Sequence, residues 1–169
     1  MTQQAHDEAP APRFLIARFS ALGDIVLMQP LVHALRAHYG PEARIDLICL
    51  RRSASAAMLL FGLNDVHLID RGTAEVVPAL KALHFDYLLD FHSNVRSRSL
   101  ARQLEAMTMR MDKAAFARWT LLRGWRKEPV RPFVDRCFDV VRPFGVVLPS
   151  SECHGPDAWG NFHLGDSPA

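Results

Sequence analysis

The chain is poor in the residues that build metal and disulfide frameworks. Its 169 residues include three cysteines, Cys49, Cys137 and Cys153, odd in number and far apart. No CxxC pair and no Cys/His ligand spacing occurs, which argues against a zinc module or a disulfide scaffold. His33 and His38 are five apart on a helical pattern, where a shared face needs i,i+3 or i,i+4, so no metal site is expected. Cys49 lies in a strand-like run and Cys137 in a helix-like run. Both read as buried or half-buried thiols, which suits a reducing compartment. Long apolar runs are missing too. The longest, residues 54–63, is too short for a bilayer, which needs ~20 residues. The first residues carry acids and prolines without an apolar core, unlike a secretory signal or transit peptide. The nine glycines form neither GxGxxG nor a P-loop. A net charge of +2 is too weak to argue for nucleic acid, and no reader motif supports such a partner.

What is present is an alternation of strand-like and helix-like segments. Phe14–Ala17 reads as a buried strand, and Ile25–Tyr39 as an amphipathic helix with Leu27, Leu31, Ala34 and Leu35 on one face. Pro30 kinks that helix unless the regular part starts there. Arg44–Leu50 is a second strand. Ser53–Phe61 is an alanine-rich helix with Gly62 as its cap. Asp65–Asp70, Phe85–Phe91 and Met107–Met111 read as strands, while Glu75–Leu83, Val95–Glu105 and Arg131–Phe144 read as helices. On the last, Val134, Cys137, Phe138 and Val141 share a face. Residues 1–12 are expected to be a disordered lead-in, 13–147 one domain, and 148–169 a linker-like or disordered tail rich in Gly, Pro and Ser. Strands alternating with helices imply an α/β fold, a Rossmann-like, mostly parallel sheet flanked by helices.

Polar residues cluster where such sheets place ligands, beyond the carboxyl ends of strands. Ser20-Ala21-Leu22-Gly23-Asp24 joins the first strand to the first helix. Asp24 is an N-cap, a carboxylate available as a general base, or both, and Gly23 allows a tight turn. Asp90-Phe91-His92-Ser93-Asn94 follows the fourth strand. Ser93 or Asn94 would cap the next helix or line the crevice, and His92 is a candidate proton carrier. Between Phe91 and Arg136 there are eleven Arg and Lys against four acids, with Phe116, Trp119 and Trp125 interleaved. That segment is a solvated face, a phosphate site, or a patch resting on an anionic membrane.

Two stretches carry a family resemblance. F-L-I-A-R-F-S-A-L-G-D-I-V-L-M-Q-P-L-V-H-A-L-R resembles the opening of the ADP-heptose:lipopolysaccharide heptosyltransferases, glycosyltransferase family 9. F-D-Y-L-L-D-F-H-S-N-V-R-S-R-S-L-A-R is similar to that family's later strand, loop and basic helix, and V-D-R-C-F-D-V-V-R-P-F-G-V to the helix closing its first domain. The resemblance implies one half of a GT-B architecture, with inverting transfer of heptose from ADP-heptose to the lipopolysaccharide inner core. Asp24 would be the catalytic base. Arg18, Ser20, Gly23, His92, Ser93, Asn94, Arg96 and Arg98 would bind substrate. No cofactor beyond the ADP-heptose donor is implied. The partners implied are a lipid-anchored sugar acceptor and the inner face of the inner membrane, which places the protein in the cytoplasm. Since the pattern stops after Gly145, the chain is expected to lack the donor-binding domain and to be a fragment inactive alone. The alternative is a non-enzymatic Rossmann-like binding or scaffold module.

Overall fold

The computed structural model describes residues 10–112 and 131–146. The lead-in up to residue 9, the Arg/Trp segment at 113–130 and the tail from 147 lie outside the described residues. Five parallel strands form the sheet: β1 (Arg13–Ala17), β2 (Arg44–Leu50), β3 (Asp65–Ile69), β4 (Tyr87–Asp90) and β5 (Met107–Arg110). Their spatial order is β3-β2-β1-β4-β5. The chain therefore steps outward from β1 in one direction, returns, and steps outward in the other. The reversal lies between β1 and β4. This is the α/β, Rossmann-like parallel sheet that the alternating pattern predicts, and the fifth strand is part of it.

Side-chain alternation along β1 explains the two layers. Phe14 and Ile16 face one cluster and Leu15 and Ala17 the other, and all four are fully buried. The first cluster is closed by α1 (Leu22–Val26), α2 (Gln29–Tyr39), α3 (Ala54–Ala57) and α6 (Phe133–Val141). The second is closed by α4 (Val77–Ala82) and α5 (Val95–Leu104). Each Leu or Ile placed fully inside stabilises by ~1.5–3 kcal/mol, so strands buried on both faces read as continuous apolar runs. Phe14, Tyr39, Tyr87 and Phe144 form an aromatic cluster, with Phe14–Tyr87 centroids at 5.3 Å and Tyr87–Phe144 at 4.8 Å. It docks the 3-10 turn after α6 onto the sheet.

Three expected elements differ. The long first helix is two helices, and Pro30 sits in the first turn of the second, where its missing N–H costs nothing. The expected helix at 53–61 shrinks to one turn of α-helix after a 3-10 turn, and Gly62, at φ +91°, turns the chain well beyond it. The last helix stops at Val141, because Pro143 lies in the 3-10 turn that follows and Gly145 closes it with φ +76°. The buried thiols are as expected for Cys49 and Cys137, whereas Cys153 lies outside the described residues. Among the described residues no helix is long and apolar enough to cross a membrane.

Candidate active site at the carboxyl edge of the sheet

The carboxyl ends of β1 and β4 flank the point where strand order reverses, the usual ligand crevice of an open α/β sheet. Arg18 leaves β1 at that point and is largely buried, with its side chain 12% exposed. One guanidinium nitrogen pairs with the Asp24 carboxylate and another donates to the Phe91 carbonyl. The Phe133 ring of α6 covers the guanidinium at 5.1 Å. The guanidinium Nε is buried without a hydrogen-bond partner. Arg18 therefore ties together β1, α1 and the loop after β4.

Asp24 is not an N-cap. The cap position of α1 is Ala21, no side chain bonds there, and Asp24 sits inside the first turn. Its carboxylate is held by Arg18 and its side chain is 34% exposed at the crevice mouth. Gly23 also departs from expectation. It lies within α1 and a Cβ built on it meets nothing within 4 Å, so no tight turn or close packing inside the chain requires glycine. Ser20 is half-buried in the loop before α1.

The second loop is organised by Asp90, the last residue of β4, which is fully buried. Its Oδ1 accepts from the His92 and Ser93 amides at 3.1 and 2.7 Å, and its Oδ2 from Ser97 Oγ and Arg110 Nε, both at 2.8 Å. Ser93 takes a left-handed backbone (φ +50°) and donates its hydroxyl to the Met111 carbonyl at 2.6 Å. Asn94 is the N-cap of α5, with its Oδ1 accepting from the Ser97 amide at 2.9 Å. Ser93 Oγ and Asn94 Oδ1, expected to bind substrate or cap, thus serve the loop and the helix. His92 stands edge-on to Phe19 at 5.2 Å, half-buried beside the crevice.

Of the basic helix, Arg96 turns back over the Phe19 ring at 5.5 Å and donates to the Arg71 carbonyl at 3.2 Å. Arg98 is exposed on the same helix. Several other bases of that segment are engaged: Arg110 with Asp90, Arg131 with Asp139, and Arg136 with the Asp112 carbonyl. Arg96, Arg51, Arg52 and Asp70 line a cleft of about 220 Å³ beyond the ends of β2 and β3. Arg51 pairs with Asp70 at 2.8 Å. The adjacent Arg51-Arg52, directly after the second strand, is the sequence signal for this basic rim.

The two cysteines are inert by environment. Burial pushes the Cys49 thiol up to about 11 and the Cys137 thiol up to about 12. For Cys137 the nearby Arg18 and Arg136 charges act in the opposite direction and do not offset burial.

The fold has counterparts among solved structures. E. coli heptosyltransferase WaaC with ADP superposes with a TM-score of 0.64 at 20% identity, over 82% of this chain and 49% of that one. A glycosyl transferase family 9 protein from Veillonella parvula gives 0.58 at 18% identity, over 82% and 43%. E. coli ADP-heptose LPS heptosyltransferase II gives 0.54 at 20% identity, over 76% and 39%. The chain has the fold of about half of a family 9 glycosyltransferase. It spans less than two thirds of each of these heptosyltransferase-like structures. No family model and no characterised relative matches by sequence.

Proposed function

We propose that this chain is the acceptor-binding half of an inverting, GT-B-type heptosyltransferase, with Asp24 as the general base. The observation that carries the reading is the placement of Asp24. A partly exposed carboxylate stands at the switch point of the sheet, fixed from behind by Arg18. The likeness to heptosyltransferase structures supports the same reading.

In that reading an acceptor hydroxyl lies against Asp24. The carboxylate takes its proton as the oxygen attacks the anomeric carbon, from the face opposite the departing ADP. The new glycosidic bond forms as the bond to the ADP phosphate breaks, and the stereocentre inverts. Donor and acceptor must be held in line for this step. The donor ADP-heptose is then bound by a second domain or a partner chain. On the acceptor side, the open space before Gly23 lets a sugar approach the α1 backbone. The cleft rimmed by Arg51, Arg52 and Arg96 suits acceptor phosphates, with exposed Arg98 nearby on α5. A lipid-anchored acceptor would bring the protein to the cytoplasmic face of the inner membrane.

The test is transfer itself. The chain, alone and joined to a donor domain of family 9, is incubated with ADP-heptose and a deacylated Kdo-containing acceptor, and ADP release is followed. Release by the joined protein and its loss in Asp24→Ala is the expected result. Full activity in Asp24→Ala removes the base assignment, and no release by the joined protein removes the transferase reading. The second reading, a non-enzymatic binding module, is favoured by one observation. The Asp24 carboxylate is already engaged by a guanidinium in the free chain. Acceptor binding without transfer by the joined protein would establish it.

A further inference from the structure

At the opposite edge of the sheet, three side chains that no spacing rule brings together meet. Asp46 of β2 and Asp65 of β3 are register partners, and His67 lies two residues further along β3, on the same face. One ligand atom from each lies within 4.8 Å of the others. The sequence showed no metal-ligand spacing because these residues pair across strands rather than along one element.

Asp46 is fully buried. Its Oδ2 accepts from Arg44 Nε at 3.1 Å and Nη2 at 2.9 Å, and lies 2.8 Å from His67 Nε2. Its Oδ1 is buried with no hydrogen-bond partner. A buried carboxylate oxygen without a donor is costly and calls for a positive partner. The Arg44 guanidinium also lies 4.0 Å from Asp65 Oδ2, so it already sits as a cation shared by the two acids. Its side chain is 31% exposed and has a path to solvent. Asp65 uses Oδ1 on the Val66 amide, at 2.7 Å, and keeps Oδ2 for another partner.

We propose that Asp46, Asp65 and His67 form a binding site for one first-row divalent transition metal ion, which pins the edge strand β3 to β2. Two carboxylates and an imidazole are a borderline donor set, suited to Zn²⁺ or Co²⁺ rather than Ca²⁺. Ligand atoms ~2.0–2.2 Å from one tetrahedral ion lie ~3.3–3.6 Å from each other, so the widest pair closes by at most ~1.5 Å. Arg44 swings outward as the ion enters, and water completes the coordination. His67 binds through Nε2, and a proton carried there leaves on binding. The site uses none of the residues placed in the proposed transfer and is independent of it.

The experiment uses the full chain, stripped with a chelator and titrated with Zn²⁺ and with Co²⁺. Calorimetry gives stoichiometry, visible absorption of Co²⁺ reports nitrogen and oxygen ligation, and Tm reports stabilisation. The expected result is one ion per chain and a Tm raised by Zn²⁺. His67→Ala and Asp65→Asn, both away from the fully buried position, each weaken binding by at least ~10-fold. Arg44→Met removes the competing guanidinium and tightens binding, an outcome that a misfolded variant cannot mimic. No saturable binding overturns the proposal. So does binding unchanged in both His67→Ala and Asp65→Asn, since the ion then sits on other histidines of the chain.

Discussion

Arg18 and Asp24 form an ion pair that links the end of β1 to the first turn of α1. The same guanidinium donates to the Phe91 carbonyl, so the two loops flanking the strand-order reversal share one cation. In the proposed base role a carboxylate on a flexible loop would serve poorly, because its position relative to a bound hydroxyl would vary. Here its orientation is set by a side chain buried beneath Phe133. That is how a short β1–α1 connection can present a chemically useful group while staying ordered.

This coupling predicts non-additive mutations. Asp24→Ala and Arg18→Met each remove the same charged hydrogen bond, worth ~1–2 kcal/mol for a pair only partly shielded from water. Arg18→Met also loses the Phe91 carbonyl bond. Urea denaturation of both single variants and the double variant is expected to give a coupling of about 1 kcal/mol. Additivity within ~0.3 kcal/mol would show that the pair does not hold the site together.

Asp90 should be the most sensitive polar position in the domain. It is fully buried and accepts four hydrogen bonds, two from loop amides and two from side chains on α5 and β5. Asp90→Ala strands those donors and leaves Arg110 without its partner. A loss of ~3–5 kcal/mol is expected, read as a fall in denaturation midpoint at unchanged m. Asp90→Asn, which keeps an acceptor toward the amides, should lose less. Equal losses would mean that charge, not acceptor geometry, organises the loop.

The contrast between Asp24 and Asp90 shows how far the sequence could be read. The apolar runs of β1, β2 and β4 and the helical period of α6 give the fold directly, since burial on both faces leaves an unmistakable pattern. The positions of Asp24 and His92 at the carboxyl edge also follow, because one lies just after and the other within a strand-to-helix connection. What could not be read is pairing across elements. Asp90 with Arg110 and Asp46 with His67 depend on strand order and register, and Arg18 with Asp24 on the path of the β1–α1 connection, none of which local propensity encodes. Gly23 misled for a different reason: a glycine before a helix signals a turn, yet here it is helical. The shortened helix after β2 is a third kind of miss. Alanine-rich composition favours helix, but the chain must turn at Gly62 to enter β3.

Cysteine chemistry offers a check on the buried layers. With their thiols pushed up to about 11 and about 12 by burial, Cys49 and Cys137 carry little thiolate near neutral pH. Both should resist alkylation in the native chain and react only as it unfolds, in contrast to a solvent-exposed thiol. Mass-resolved labelling with iodoacetamide across a urea series tests this. Fast native labelling of Cys137 would mean that α6 is not packed over the Arg18–Asp24 pair.

Glu75 predicts a specific acid dependence. Its carboxylate accepts from three consecutive backbone amides, those of Asp70, Arg71 and Gly72, at 3.0, 2.8 and 2.8 Å. These bonds hold its pKa down to about 2, from an ordinary value of 4.5. Because the folded value lies below the unfolded one, the unfolded state binds the proton first as acid is added. The stabilisation is therefore complete above pH 4.5 and is lost as pH falls from about 4.5 toward 2. Glu75→Gln keeps an acceptor oxygen but has no charge to titrate. The wild-type chain should be the more stable of the two above pH 4.5, and its advantage should shrink steadily toward pH 2. Denaturation midpoints for both chains across that window measure the difference. A gap that stays constant with pH would show that the three amides do not favour the charged carboxylate.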